Sequence, residues 1–141
     1  MTLELVPLCT AVVTLAPPII IPGTPNGTRL IGEVIGFDVQ GDRITAHLKG
    51  AAAADWLLAS PDGTLGTVDV RATWETEDGA VIYVRYGGRL DMSVFPGVVY
   101  VAPLFDTGDE RYQWLTRIQA AAKGRFSDDM LTLTYDMYEL R

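Results

Sequence analysis

The sequence predicts a mainly β fold, a small antiparallel β-barrel with one short helix near residues 109–122, and three observations support it. The chain has 141 residues, which fits a single domain over 1–141 that buries a core without a disulfide or a metal. Turn-forming pairs recur along it, among them Pro22-Gly23, Asp78-Gly79 and Pro96-Gly97. The segments between the turns are short and rich in valine, isoleucine, threonine and tyrosine, which is typical of sandwiches and barrels.

The predicted strands follow from this spacing of turns. In chain order they lie near residues 3–15, 29–39, 43–49, 66–76, 80–88, 97–102 and 130–140. The first strand is long, and we expect it to bend at Pro7, because proline interrupts a regular ladder. Residues 54–60 fit either a short strand or one turn of helix.

One segment follows a helical period instead of a strand period. Between residues 109 and 122, the spacing of one helix face is kept by Trp114, Leu115, Ile118, Ala121 and Ala122. Thr107 or Asp109 could cap the start of this helix, and Gly124 suits its end. The pattern therefore predicts a helix, or a helix that gives way to a strand near 119–125.

The turn at 77–79 predicts a hairpin over residues 66–87, and its loop length decides which residues pair. A two-residue loop would pair Trp74 with Tyr83, whereas a three-residue loop pairs Trp74 with Ile82. We favour the second register, because it places apolar residues opposite each other three times in succession. It divides the hairpin into two faces. The apolar face has Val70, Ala72, Trp74, Ile82, Val84 and Tyr86, and the polar face has Asp69, Arg71, Thr73, Tyr83 and Arg85.

Two placements of the polar face are open at this point. It either faces solvent or lines a pocket inside the barrel, with the apolar face packed on the helix or on another subunit. Arg71 and Arg85 lie directly opposite each other, and like charges in that position repel. Asp69 or an anionic ligand would relieve this repulsion.

Composition excludes several classes of function. The net charge of −7 argues against a nucleic-acid partner and against an anionic membrane surface, since both require a basic face. With one cysteine, Cys9, and one histidine, His47, we expect no internal disulfide and no metal site. Phosphate-binding glycine loops and dinucleotide fingerprints are absent, so we expect no cofactor. The start of the chain resembles neither a signal peptide nor a membrane span, and the cysteine count suits the cytoplasm.

Several residues are candidates for chemistry. Asp55 lies beside Trp56 among alanines, where an apolar setting raises the pKa of a carboxyl group and suits it to acid–base work. Asp55 or Asp69 would be the acid or base, and Arg71 would anchor developing negative charge. Tyr83 would donate a hydrogen bond to a ligand. Arg85 shares their face, and Tyr112 and Trp114 could form an aromatic wall.

The order and spacing of several motifs resemble the DUF3237 (UPF0311) family. The motifs are Asp55-Trp56, Asp62-Gly63-Thr64, residues 68–71, 76–84, 103–107, 111–117 and 134–139. The resemblance spans nearly the whole chain and implies a compact β-barrel with a central cavity, in a family whose activity is largely unassigned. It adds Phe105 and Trp56 to the ligand-contacting positions and favours the polar hairpin face as the cavity lining. The chain departs from the pattern at Ala53-Ala54, where paired glycines are usual, and at Thr116, where asparagine is usual.

The expected function is therefore a small-molecule-binding β-barrel. It would act as a cofactor-independent acid–base enzyme, such as an isomerase, cyclase or lyase, on an apolar or aromatic carbonyl or carboxylate compound. The alternative is a non-catalytic protein that assembles as a homo-oligomer through an apolar face. Exposure of Val70, Trp74 and Ile82 would support that alternative.

Overall fold

The predicted strands form a barrel in the computed structural model, which describes residues 1–141. Eleven strands are present: β1 (Leu5–Leu15), β2 (Ile19–Thr24), β3 (Gly27–Gln40), β4 (Thr45–Leu48), β5 (Ala54–Ala59), β6 (Leu65–Thr76), β7 (Val81–Asp91), β8 (Val98–Val101), β9 (Leu104–Asp106), β10 (Ala120–Phe126) and β11 (Thr132–Leu140). A single 3₁₀ helix covers Glu110–Arg117. This helix is too short and too polar to cross a membrane.

Eight of the strands close into an antiparallel ring. The order around the ring is β6, β5, β3, β1, β11, β10, β8 and β7, and β7 pairs back to β6. The other three strands extend its wall. β4 bridges β3 and β6, β9 continues the edge of β7 beyond β8, and β2 pairs with the first part of β3. Closure leaves the ring without a free edge, which is how small barrels avoid open strand pairing.

The β6–β7 hairpin has the register that the three-residue loop predicts. Trp74 pairs with Ile82, Ala72 with Val84, and Val70 with Tyr86. Trp74 is fully buried, and its ring lies 5.2 Å from that of Phe37 and 5.6 Å from that of Phe105. The apolar face of the hairpin therefore points into the barrel.

The expectation that the polar hairpin face lines the cavity is wrong. Asp69, Arg71 and Arg85 are exposed on the outer surface of the barrel. One continuous apolar core fills the interior instead of a central cavity. The physical reason is desolvation, since enclosing two guanidinium groups and a carboxylate would cost far more than enclosing valine, alanine and tryptophan.

The segment after residue 109 is a helix that gives way to a strand, the second of the two predicted alternatives. The 3₁₀ helix begins after Asp109, whose side chain accepts a hydrogen bond from the Arg111 amide, and the chain then enters β10. Gly124 does not end the helix. It lies in β10 opposite Tyr135, where an added Cβ would come within 2.6 Å of the tyrosine ring.

Two strands, β2 and β9, lie beyond those that the sequence pattern predicts. Residues 54–60, which fit either a strand or a helical turn, contain the strand β5. β2 lacks the alternation of apolar and polar residues that predicts a strand, because it contains three consecutive isoleucines, Ile19 to Ile21. All three are exposed. Pro18 and Pro22 flank them, and proline lacks the N–H that an edge strand offers to another strand.

The Trp74 side chain gives a test of this interior. Trp74→Ala should lower the free energy of unfolding by about 3–5 kcal/mol, because it removes a large buried ring. Trp74→Phe should cost clearly less, since the indole Nε1 has no hydrogen-bond partner and its loss removes a buried unpaired group. Urea denaturation measures both. Thr73→Ala, on the outer face of the same strand, is the control, and an equal cost for Trp74→Ala and Thr73→Ala would contradict the assignment of faces.

Candidate functional site

A pocket of about 150 Å³ opens at one end of the barrel, and we call it the mouth pocket. It lies where the chain leaves β1 and where β10 turns into β11. Its walls are mostly apolar, with two carboxylates among them. The lining residues are Leu15, Ala16, Pro18, Leu30, Gly32, Asp55, Leu57, Asp129, Met130 and Leu131.

The mouth pocket exists because β1 ends partway along β3. The β1–β3 ladder stops at Leu15 opposite Val34, after a shift in register. Residues 16–18 then carry the chain to β2, which pairs with residues 27–31 of β3. On its other edge, β1 pairs with β11 as far as Thr14. The β2–β3 hairpin therefore extends beyond this end of the closed ring. The inner side of β3 at Leu30 and Gly32 is thereby left open to the pocket.

Asp55 enters this pocket from β5. It lies opposite Gly32 on β3 and opposite Val70 on β6. The β5–β6 ladder is interrupted between Asp55 and Leu58, and Oδ1 of Asp55 accepts a hydrogen bond of 3.0 Å from the backbone N–H of Asp69. The carboxylate thus takes the place of a missing strand partner, which fixes its position.

The environment of Asp55 favours its protonated form. Burial raises the pKa of this carboxyl to about 6, the Asp69 N–H lowers it, and the negative charge of Asp69 raises it again. No arginine or lysine lies within 4.0 Å to offset the burial, since the ion pairs of the chain all involve other acids. Asp55 therefore exchanges a proton near neutral pH, as its apolar neighbours in the sequence predict.

Two tyrosines lie inside the barrel within reach of the Asp55 charge. Tyr86 on β7 and Tyr135 on β11 are buried, and their rings meet edge to face with centroids 5.7 Å apart. Burial raises the pKa of both phenols, and the Asp55 carboxylate raises it further. Both hydroxyls therefore stay protonated, and the two are hydrogen-bonding neighbours of each other.

The second carboxylate of the pocket has the opposite character. Asp129 belongs to the β10–β11 turn, where its Oδ1 accepts hydrogen bonds from the Ser127 hydroxyl at 2.6 Å and from the Leu131 N–H at 3.0 Å. These bonds lower the pKa of Asp129. Asp129 stays ionised at the rim, so Asp55 is the group of the mouth pocket that can take up and release protons.

The other predicted polar residues lie on the far side of the barrel wall. Asp69, Arg71, Tyr83 and Arg85 line an outer groove of about 360 Å³, together with Val70, Tyr86, Gly87, Ala102 and Leu104. Trp56 also faces outward, and the Arg71 guanidinium stacks 4.4 Å from the centre of its ring. The structure thus separates Asp55 from the residues that were expected to share its ligand.

The three predicted aromatic contacts lie away from the mouth pocket. Phe105 packs in the core against Trp74, and Trp114 lies under the Arg43 guanidinium at 4.7 Å. The Tyr112 hydroxyl donates to the Asp78 carboxylate at 2.9 Å. None of the three lines the mouth pocket.

Sequence reasoning missed Tyr86 and Tyr135 as neighbours of the Asp55 charge, although neither lines the mouth pocket. Tyr86 lies on the predicted apolar hairpin face, where core packing is a sufficient reason for an aromatic ring. Tyr135 alternates with the buried Leu133 and Met137 on β11, so the period of two could have placed it inside. Neither signal distinguishes a tyrosine that serves a site from one that only fills the core.

Comparison with known proteins identifies relatives over most of the chain. Residues 3–140 match the family described as "Protein of unknown function (DUF3237)". A UPF0311 protein of Rhodopseudomonas palustris is 31% identical over 104 residues, which are 64% of this chain and 67% of that protein. A UPF0311 protein of Bradyrhizobium diazoefficiens is 29% identical over 120 residues, which are 74% of this chain and 77% of that protein.

Solved structures share the barrel. A β-barrel-like protein of Acinetobacter baumannii has a TM-score of 0.88 at 25% identity and covers 100% of this chain and 98% of its own. A protein of unknown function from Clostridium acetobutylicum has a TM-score of 0.89 at 18% identity, with coverage of 99% and 100%. An enzyme from Penicillium herquei has a TM-score of 0.76 at 24% identity, with coverage of 99% and 94%. These likenesses establish the fold and leave the reaction open.

The raised pKa of Asp55 predicts how stability depends on pH. The folded state holds the Asp55 proton more tightly than the unfolded chain, so Asp55 destabilises the fold as pH rises from about 4 to about 6. The free energy of unfolding falls by roughly 3 kcal/mol, because the pKa of Asp55 is raised by about two units. Asp55→Asn removes this loss, so the variant should gain stability relative to wild type across that interval.

Urea denaturation of both proteins between about pH 4 and pH 8 measures this difference. Subtracting the free energy of unfolding of wild type from that of Asp55→Asn at each pH cancels the contribution of the other carboxylates. Their lowered pKa values stabilise the fold with the opposite pH dependence. Asp106→Asn, which replaces an exposed carboxylate on β9, is the matched control. A constant difference between Asp55→Asn and wild type would show that Asp55 titrates normally.

Proposed function

This chain belongs to the DUF3237 family, and we propose that it is a small-molecule-binding barrel that moves protons on an apolar or aromatic carbonyl compound without a cofactor. The observation that carries the proposal is Asp55, a half-buried carboxyl without an ion-pair partner that lines an open, mostly apolar pocket. A base whose pKa lies near the working pH is largely ionised and still holds a proton well, which is what general acid–base catalysis requires.

The geometry supports a simple proton-transfer sequence. Asp55 as carboxylate removes a proton from the carbon next to a carbonyl group, and the electron pair of that C–H bond moves onto the carbonyl oxygen. The side chains that line the pocket include no hydrogen-bond donor, so water at the open mouth stabilises that oxygen. Return of the proton from Asp55 to a different carbon gives an isomer, and no oxidant or reductant is consumed.

The lining of the mouth pocket sets the class of substrate. Leu15, Leu30, Leu57 and Met130 present an apolar surface, and a volume of about 150 Å³ suits a small ring or short chain. The ionised Asp129 at the rim repels an anionic substrate, so a neutral carbonyl or phenol fits better than a carboxylate. The site therefore favours an uncharged aromatic or alicyclic ketone.

Two further observations bear on the choice between catalysis and pure assembly. The barrel fold is shared with the enzyme from Penicillium herquei, so it is a fold on which catalysis occurs. Val70, Trp74 and Ile82, whose exposure would have supported an oligomeric interaction protein, are all buried in the core. The second observation removes only this apolar face from the alternative, because the exposed Ile19, Ile20 and Ile21 on β2 still offer another and the polar hairpin face points to solvent.

A reaction of 5-nitrobenzisoxazole tests the proposed base directly. A base removes the ring C–H proton of this neutral aromatic compound, the N–O bond breaks, and a coloured phenolate forms. We expect wild type to accelerate the reaction, with a rate that rises with pH and levels off above about 6. Asp55→Asn should lower the rate about tenfold or more, and Asp106→Asn should leave it unchanged.

A second variant tests whether the mouth pocket holds the substrate. An added Cβ at Gly32 lies 3.7 Å from Leu15 Cδ2, an ordinary contact, so Gly32→Val fits in β3 and fills the pocket. We expect this variant to fold, to keep Asp55, and to lose the reaction. Equal rates for wild type, Asp55→Asn and Gly32→Val would contradict the proposal.

A further inference from the structure

The outer face of the barrel carries two arginines in one row of the sheet. Arg71 on β6 pairs directly with Arg85 on β7. The next positions in the row are Ala54 on β5 and Leu104 on β9. Neither arginine has an acidic residue as its cross-strand partner, so the row concentrates positive charge on a chain whose net charge is −7.

Neither guanidinium group is neutralised by an ion pair. Arg43, Arg111 and Arg141 each lie within 4.0 Å of a carboxylate, whereas Arg71 and Arg85 do not. The acidic neighbours on this face are Asp69, two residues before Arg71, and Asp106, opposite Tyr83, and neither is within salt-bridge distance of the two arginines.

Arg71 stacks on Trp56, and this contact positions the guanidinium group without occupying its N–H donors. The guanidinium carbon lies 4.4 Å from the centre of the indole ring. Stacking of this kind engages the face of the guanidinium and leaves the N–H groups at its edge free to donate. Arg71 is therefore oriented in advance for an acceptor.

The groove beside the two arginines has a floor of small residues. Gly87 pairs with Asp69, and Ala102 follows β8, so no large side chain covers this part of the sheet. Arg71, Arg85, Tyr83 and Leu104 surround a space of about 360 Å³. Tyr83 and Leu104 are 40% and 37% exposed, which leaves an apolar surface next to the charged one.

We propose that this outer groove binds the carboxylate of a small aromatic acid. Arg71 and Arg85 donate hydrogen bonds to the carboxylate, and the aromatic ring lies against Tyr83 and Leu104. A single negative charge between the two arginines removes their mutual repulsion. Asp69 at the edge of the groove opposes a doubly charged ligand such as phosphate, so a monoanion is favoured. The groove lies on the opposite side of the wall from Asp55, so this site is independent of the proposed function.

Binding of benzoate, followed by amide NMR chemical shifts and calorimetry, tests this site. We expect shifts at residues 69–71, 83–87 and 102–104, and no binding of the neutral analogue benzamide. Arg71→Leu and Arg85→Leu should each weaken benzoate binding about tenfold or more. Arg71→Lys should weaken it by an intermediate factor, because lysine keeps the charge and loses the two-pronged geometry.

Two control variants distinguish binding in the groove from binding elsewhere on the barrel. Arg89→Leu removes an arginine from the same face of β7, where it is bonded to Thr67, and should leave benzoate binding unchanged. Lys123→Leu removes a cation that lies over the Tyr100 ring, away from the groove, and should also leave benzoate binding unchanged. Equal affinity of wild type and both leucine variants for benzoate, or shifts outside the groove, would overturn the proposal.

Discussion

The pairing of β6 with β7 is the constraint on which the rest of the structure depends. Apolar residues meet in three successive pairs, from Trp74 with Ile82 to Val70 with Tyr86, and all of them are buried. A shift of β6 by one residue would turn Arg71 inward and Trp74 outward. The register fixes which residues of β6 and β7 share a face, and closure of the ring through this hairpin turns the apolar face inward.

Both sites follow from that register. It places Tyr86 inside, within reach of the Asp55 charge, and it places Arg71 opposite Arg85 outside. The interruption of the β5–β6 ladder adds the second element, since it lets the Asp69 amide hold the Asp55 carboxylate in the pocket wall. One sheet thus separates a half-buried carboxyl with a raised pKa from a solvent-facing pair of cations.

Local patterns predicted much of this structure. The hairpin register followed from turn chemistry and the matching of apolar residues, and the raised pKa of Asp55 followed from its apolar neighbours. The direction of each face did not follow, because it depends on which strands close the ring. The mouth pocket could not be predicted either, because two segments far apart in sequence form it. One is the point where β1 leaves β3, and the other is a turn more than 90 residues later, at 127–131. The irregular exposure of β2 hid that strand as well.

The proposed role of Asp55 requires a half-buried carboxyl that exchanges its proton near neutral pH. NMR titration of the Asp55 side-chain carboxyl carbon, assigned by its absence in Asp55→Asn, measures this pKa directly. The structure predicts a midpoint of about 6, as burial without a counterion requires. A midpoint at the ordinary value of about 4 would show that Asp55 is solvated and would contradict its role as the acid–base group of the mouth pocket.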